Sequence, residues 1–252
     1  MRELRSLDPS QTTAVLCDAD GTLFPSEEPA FAASSLVTQD FASRFGLTGD
    51  FSPEHLRRTT TGKNFRTTAT DLLHAAHVDA DPAELDQWVE REKQEVTAHL
   101  ARTLTPQPDV LAALTTLSAS HRLAAVSSSA LTRLTACFTA SGLDDLIDPR
   151  RRYSAEDSLP TPIGKPHPAV YRFALGQLGI PAGEAAAIED SATGVASAVA
   201  AGISTIGFVQ YVPRSERSQR VADLEQAGAA AVAESWDQIA DLFKGRVVEA
   251  TG

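Results

Sequence analysis

Residues 13–24 read TAVLCDADGTLF, five uncharged residues followed by two aspartates, a glycine and a threonine. The run from Thr13 to Cys17 lacks the polar–apolar alternation of a half-exposed strand, so it predicts a strand buried on both faces of a parallel sheet. Gly21 suits a sharp turn where that strand ends. The stretch therefore predicts an α/β fold in which Asp18 and Asp20 directly follow a buried strand.

Short apolar runs of the same kind recur in the second half of the chain and alternate with helical patterns. One such pattern begins at Pro168 and continues with Val170, Phe173 and Leu178 at helical spacing. The apolar runs are residues 123–126, 185–188, 205–209 and 229–232. Alternating strands and helices predict an α/β core with a doubly wound parallel sheet.

The interval from residue 24 to residue 103 has a different character. Helical stretches cover residues 31–45, 67–76 and 82–100, and prolines flank the interval on both sides. We therefore predict a helical domain, residues 24–103, inserted after the first strand of a core domain made of residues 1–23 and 104–252.

The composition limits the classes of function. The chain has 252 residues, of which 42% are hydrophobic, and 22 basic against 33 acidic residues give a formal charge of -11. This sign disfavours a nucleic-acid partner, although a local site on an acidic protein can still bind a small phosphorylated metabolite. Cys17 and Cys137 are expected to be buried free thiols. Without a signal-peptide pattern or a long apolar stretch, we expect a cytoplasmic protein with no membrane partner, either monomer or homodimer.

Ligands of such sheets bind at the carboxyl ends of the strands, so the polar residues after each apolar run should converge. Asp18 and Asp20, two residues apart on an extended segment, point to the same side. One carboxylate can attack phosphorus while the other donates a proton to the leaving oxygen. An acidic turn after a strand, with no chemical role, is the alternative.

Two further motifs offer groups for a phosphate. Ser127 and Ser128 follow the second apolar run, and their hydroxyl and amide groups can hold phosphoryl oxygens, although a serine-rich start of a helix is the simpler alternative. Lys165 stands between Gly164 and Pro166 on a restricted backbone, and it can neutralise a nucleophile and a phosphoryl group together. An exposed loop lysine is the alternative there.

Glu189 and Asp190 end another apolar run. Two adjacent acids in apolar surroundings are costly without a cation, and their hard oxygen atoms suit Mg²⁺. The alternative is a pair of acids attracted to a helix N-terminus. His167 is interpreted as a capping or packing residue and not as a base.

Taken in order, these motifs resemble those of the haloacid dehalogenase superfamily, in its phosphatase branch with an inserted helical domain. The matching segments are LCDADGTLF, AAVSSS, GKPHP and IEDSATGVASAVAAGI. The resemblance implies a Rossmann-like core, Mg²⁺ and an aspartyl-phosphate intermediate. It makes Asp18 the nucleophile and a metal ligand, and Asp20 the general acid/base that offers its backbone carbonyl to the metal. Ser127 and Lys165 would hold the phosphoryl group. Asp190 and Glu189 would complete the metal site, with Glu189 either binding the metal directly or contacting a residue that does.

Within that superfamily, single residues favour one branch. Dehalogenases and phosphonoacetaldehyde hydrolases lack the second aspartate of the first motif, whereas Asp20 is present here. β-Phosphoglucomutases carry a histidine shortly after the first motif, near the position of Ala30, but this chain has no histidine before His55. Hydrolysis of a phosphate monoester is therefore predicted, with a phosphomutase as the alternative. A phosphate-binding protein without turnover is the alternative from another class.

The segment from Thr59 to Arg66 resembles the loop of the inserted domain that reaches the active site in this family. Gly62 allows a turn, Lys63 and Arg66 can bind a second anionic group, and Asn64 can bind a sugar hydroxyl. A solvated basic turn is the alternative. This set of groups favours a sugar phosphate or sugar-acid phosphate as substrate, with phosphoglycolate as the alternative.

Overall fold

The computed structural model describes residues 1–3, 9–60 and 64–244, and the chain divides into two compact units. Residues 1–24 and 105–252 belong to one unit, here called the α/β unit, and residues 25–104 form the other, the helical unit. The chain thus leaves the α/β unit soon after its first motif and returns some 80 residues later.

The helical unit has four helices among its described residues. They are α1 (Glu27–Phe45), α2 (Pro53–Thr60), α3 (Phe65–Ala75) and α4 (Pro82–Thr103). Its core is aromatic, since the ring of Phe41 lies 5.9 Å from that of Phe65 and 5.6 Å from that of Trp88, both edge to face. α2 was not predicted, because its residues are mostly polar and only Leu56 is buried.

A seven-stranded sheet forms the centre of the α/β unit in the described part of the chain. Its strands are β1 (Arg2–Glu3), β2 (Ala14–Cys17), β3 (Arg122–Ser127), β4 (Arg152–Ser154), β5 (Ala185–Glu189), β6 (Ser204–Phe208) and β7 (Ala231–Ala233). Their spatial order is β1-β7-β6-β5-β2-β3-β4, and only the edge strand β1 is antiparallel to its neighbour. The predicted fold class, a doubly wound α/β core, is confirmed.

Helices surround this sheet. They are α5 (Pro108–Ser118), α6 (Leu131–Ala140), α7 (Ala169–Leu178), α8 (Ala192–Ala200), α9 (Arg217–Ala227) and α10 (Trp236–Phe243). Every residue of β2 and β5 is buried, as expected for strands covered on both faces. Cys17 and Cys137 are buried free thiols, and burial raises the pKa of Cys137 to about 12. Among the described residues, no helix is both long and apolar enough to cross a membrane.

The register of the three central strands positions the functional motifs. Cys17, the last residue of β2, pairs with Ala125 of β3 on one side and with Ile188 of β5 on the other. The order of strands therefore reverses at β2, and ligands of open α/β sheets bind at such a point. The residues that follow β2, β3 and β5 meet at one edge of the sheet for this reason.

Candidate active site

The turn after β2 packs directly against the acidic pair that ends β5. The backbone N–H of Asp18 donates to the carbonyl of Ile188 at 2.9 Å, which extends the ladder beyond β2. Gly21 has a φ of 77°, and a Cβ atom added there would lie 2.3 Å from Oδ2 of Asp190. Glycine is needed at this position because the backbone is left-handed and because Asp190 approaches it closely.

Lys165 joins three of the predicted motifs. Its Nζ donates to Oδ1 of Asp18 at 2.5 Å, to Oε1 of Glu189 at 2.6 Å and to the carbonyl of Val126 at 2.8 Å. The residue lies in the loop before α7, and its peptide bond to Pro166 is cis. The lysine side chain is only 5% exposed, so an exposed loop lysine is excluded.

The charged groups in this cluster shift one another's pKa values. Burial raises the pKa of Asp18 to about 7; Lys165 works against that rise, and Glu189 adds to it. Burial by itself disfavours the charged form of Lys165, but the attraction of Asp18 and Glu189 outweighs it and raises the pKa of the ammonium group. A charged lysine thus faces the carboxylate predicted to be the nucleophile, and its positive charge favours the ionised form of that carboxylate.

Glu189 is fully buried and held by two donors. Its Oε1 atom accepts hydrogen bonds from Lys165 and from the hydroxyl of Tyr171, the latter at 2.5 Å. Its Oε2 atom is buried without a hydrogen-bond partner. A Cβ atom added at Gly194 would lie 1.8 Å from that same Oε2, so a glycine is required beside the carboxylate. Tyr171 was not predicted as a site residue, because its sequence position reads as one of the apolar positions of α7.

Three carboxylates of the described residues lie close enough to share a cation. Asp18, Glu189 and Asp190 each offer one oxygen atom, and these atoms lie within 4.8 Å of one another. Arg220 of α9 also approaches this group, since its Nη1 donates to the carbonyl of Asp190 at 2.8 Å. Hard carboxylate oxygens and an unpartnered buried Oε2 fit a divalent metal ion, so the cluster could hold one.

Asp20 contacts the N-terminal region of α6. Its Oδ2 accepts a hydrogen bond from the hydroxyl of Ser129 at 2.8 Å, and its Oδ1 lies 3.2 Å from Nη2 of Arg133. Sequence reasoning did not identify either partner. The one sequence signal was the position of Arg133 in the first turn of a predicted helix, where the helix dipole disfavours a cation.

Ser127, the last residue of β3, and Ser128, which follows it, differ in their surroundings. Ser127 is 1% exposed, and its hydroxyl accepts the backbone N–H of Ser129 at 2.9 Å. Ser128 is exposed on the turn between β3 and α6. Ser127 therefore lies at the same sheet edge as Asp18, and Ser128 presents its side chain to solvent.

Two of the predicted substrate residues, Asn64 and Arg66, have partners within the helical unit. Asn64 caps α3, since its Oδ1 accepts the backbone N–H of Thr67 at 2.9 Å. Arg66 forms an ion pair with Asp86 at 2.5 Å. Gly62 and Lys63 lie outside the described residues.

His167 has the capping role expected of it, because its Nδ1 accepts the backbone N–H of Ala169 at 3.2 Å.

Comparison with known proteins agrees with the four motifs. A family model described as haloacid dehalogenase-like hydrolase matches residues 12–202. Among curated proteins, the plasmid protein CbbY of Cupriavidus necator is 44% identical over 75 residues. That match covers 27% of this chain and 30% of the length of CbbY.

Solved structures extend the similarity to nearly the whole chain. A HAD family hydrolase from Deinococcus radiodurans, solved with bound phosphate and sodium, is 28% identical with a TM-score of 0.66 and covers 91% of this chain and 94% of its own. A structure described as a putative β-phosphoglucomutase from Thermotoga maritima is 25% identical with a TM-score of 0.67 and covers 93% and 99%. A haloacid dehalogenase-like protein from Agrobacterium tumefaciens, 23% identical with a TM-score of 0.70 over 93% and 98%, shares the fold.

Proposed function

The chain belongs to the haloacid dehalogenase-like hydrolases, and on that premise we propose that it hydrolyses a small phosphate monoester through an aspartyl-phosphate on Asp18. The observation that carries this proposal is the contact of Lys165 with both Asp18 and Glu189. The phosphate bound to the 28% identical relative from Deinococcus radiodurans supports the same class of ligand.

A carboxylate that attacks a phosphate meets electrostatic repulsion, because both groups are negatively charged. The buried ammonium of Lys165 offsets this repulsion at the atom that must approach phosphorus, Oδ1 of Asp18 or its neighbour Oδ2. Ser127, at the end of β3, would bind a phosphoryl oxygen by donating its hydroxyl hydrogen, while its oxygen still accepts the N–H of Ser129.

The first chemical step forms a bond between a carboxylate oxygen of Asp18 and phosphorus. The ester bond between phosphorus and the substrate oxygen breaks, and Asp20 gives that oxygen a proton so that it leaves as an alcohol. In the second step Asp20, now ionised, takes a proton from water as the water oxygen attacks phosphorus. The bond to Asp18 breaks, and inorganic phosphate is released with both aspartates restored.

Mg²⁺ is the cation we propose for the acidic cluster. Asp18, Asp190 and the backbone carbonyl of Asp20 would hold it, with Glu189 as a further ligand or supporting the others through its unpartnered Oε2. When bound, the ion neutralises charge on the phosphoryl oxygens and keeps Asp18 ionised.

For the substrate we propose a sugar phosphate or sugar-acid phosphate. The candidate substrate-binding residues remain those predicted from the sequence, namely Gly62, Lys63, Asn64, Arg66 and Ser128. Arg66 and Asn64 would exchange their present partners, Asp86 and Thr67, for the ligand. We propose hydrolysis rather than a phosphomutase reaction, in which the phosphoryl group returns to the sugar, because no histidine precedes His55.

A screen of phosphorylated metabolites with Mg²⁺ tests this function. Release of inorganic phosphate is measured beside the formation of an isomeric sugar phosphate, so that a phosphomutase gives a different product. We expect phosphate release that EDTA abolishes and added Mg²⁺ restores, and Asp18→Asn should be inactive. Turnover that persists in Asp18→Asn, or phosphate binding with no turnover of any ester, refutes the proposal.

A further inference from the structure

The carboxylate of Asp20 has two different neighbours on its two oxygen atoms. The hydroxyl of Ser129 donates to Oδ2 at 2.8 Å, whereas the guanidinium of Arg133 lies against Oδ1 at 3.2 Å. These two side chains of one chain segment thus hold the carboxylate at both of its oxygen atoms. They also make its two oxygen atoms chemically distinct.

Arg133 occupies an unfavourable place in its helix. It is the third residue of α6, which begins at Leu131, and the partial positive charge of a helix N-terminus disfavours a cation there. The helix does not depend on Asp20 for its start, since Oδ2 of Asp157 accepts the backbone N–H of Leu131 at 2.6 Å. The contact of Arg133 with Asp20 is therefore not explained by the formation of α6.

The side chains of Arg133 and Asp20 are only 26% and 29% exposed, so this ion pair is mostly buried and removal of either partner also costs stability. A role in stability alone would affect the turnover of every substrate equally. What the arginine can determine is the position of a proton. A guanidinium has only donors, so an oxygen facing it cannot carry a hydrogen, whereas a serine hydroxyl can donate or accept.

We propose that Arg133 is a positioning residue that makes Oδ2 of Asp20 the oxygen that gives and takes the proton. This inference rests on the proposed function, in which Asp20 protonates the leaving oxygen. The proton moves from Oδ2 to the ester oxygen as the bond to phosphorus breaks, and Oδ1 stays against Arg133 throughout. Ser129 donates to a lone pair of Oδ2, so the hydrogen carried by that oxygen can face the ester oxygen.

The dependence of rate on the leaving group tests this role. Phenyl phosphate and glycerol phosphate need a proton on the leaving oxygen, whereas 2,4-dinitrophenyl phosphate does not. We compare kcat/KM, which reports the first chemical step, for the wild-type enzyme and for Arg133→Met, Arg133→Lys and Asp20→Asn. Arg172→Met is the matched control, because Arg172 on α7 contacts the carbonyl of Ala200.

We expect Arg133→Met to lose about tenfold in kcat/KM on the two poor leaving groups and less than about threefold on the dinitrophenyl ester. Asp20→Asn should show the same selectivity with a loss of about 10²–10⁴-fold. Arg133→Lys should recover part of the rate, and Arg172→Met should match the wild type on every ester. Thermal melting of each variant reports any general damage to the fold.

Two other results overturn the inference. An equal loss on all esters shows that Arg133 supports the site in general, and an unchanged profile shows that it does not act on Asp20. Failure of the proposed function looks different. In that case the wild type releases no phosphate, or Asp20→Asn itself shows no dependence on the leaving group.

Discussion

The ammonium nitrogen of Lys165 lies 2.5 Å from Oδ1 of Asp18, with the two side chains only 5% and 10% exposed. Ion pairs removed from water are costly to form and costly to break, because each charge loses its hydration and depends on the other. Here Glu189 adds a second negative charge on the same ammonium, so the cluster carries an excess of negative charge.

Replacing Asp18 by asparagine should make the folded protein more stable above pH 7. Burial raises the pKa of Asp18 from its ordinary 3.8 to about 7, so between these values the folded state binds more protons than the unfolded one. The contribution of Asp18 to stability therefore falls as the pH rises through this window. Without divalent cations, calorimetry should show a melting temperature about 5 °C higher for Asp18→Asn at pH 8 and a smaller difference at pH 5.

The exposed Asp79 supplies a control for that comparison. Asp79→Asn should leave the melting temperature unchanged at both pH values. A destabilised Asp18→Asn at pH 8 would show that the attraction of Lys165 outweighs the cost of burying the carboxylate.

Removal of the Lys165 ammonium group should destabilise the folded protein. Lys165→Met leaves the buried carboxylates of Asp18 and Glu189 without their shared ammonium, and we expect a loss of about 3–5 kcal/mol in the free energy of unfolding at pH 8. At pH 5 the loss should be smaller, because Asp18 takes up a proton there. Urea denaturation measures both values.

At pH 8 the change Asp18→Asn should stabilise the Lys165→Met variant more than it stabilises the wild type. The two changes remove opposite members of one pair, so their effects should not add. An equal gain from Asp18→Asn in both backgrounds would contradict the ion pair as the origin of the effect.

Tyr171→Phe removes one hydroxyl group and keeps the ring. Because that hydroxyl donates to Oε1 of Glu189 at 2.5 Å, its loss should cost about 1–2 kcal/mol in stability and loosen Glu189. We expect weaker binding of Mg²⁺ by isothermal titration as well. Tyr153→Phe, on a tyrosine of β4, serves as the control, and equal effects of the two changes would exclude a special role for Tyr171.

Two helical glycines should respond in opposite ways to the same change. In Gly194→Ala the new methyl group would lie 1.8 Å from Oε2 of the buried Glu189, so we expect a loss of about 3 kcal/mol and of activity. In Gly176→Ala the methyl group meets no atom within 4 Å, so a gain of about 0.5–1 kcal/mol is expected from better helix propensity. Similar outcomes in thermal denaturation would contradict the close approach at Gly194.

Much of the fold was predictable because its signals are local. The apolar runs before Asp18, Ser127 and Glu189 correspond to β2, β3 and β5, each buried as the absence of alternation required. β1 and β4 escaped prediction, since two- and three-residue strands carry no periodicity. α2 escaped it because a mostly polar helix has no apolar face to detect.

The sequence by itself determined the α/β class, the family and the residues that end β2, β3 and β5, because apolar runs and the order of motifs are local features of the chain. Tertiary structure alone decided which atoms meet there. Lys165 lies 147 positions from Asp18, and Arg133 lies 113 positions from Asp20, so no local pattern pairs them. Their contacts arise because parallel strands end at one edge of the sheet, where charges from distant segments must satisfy one another out of water.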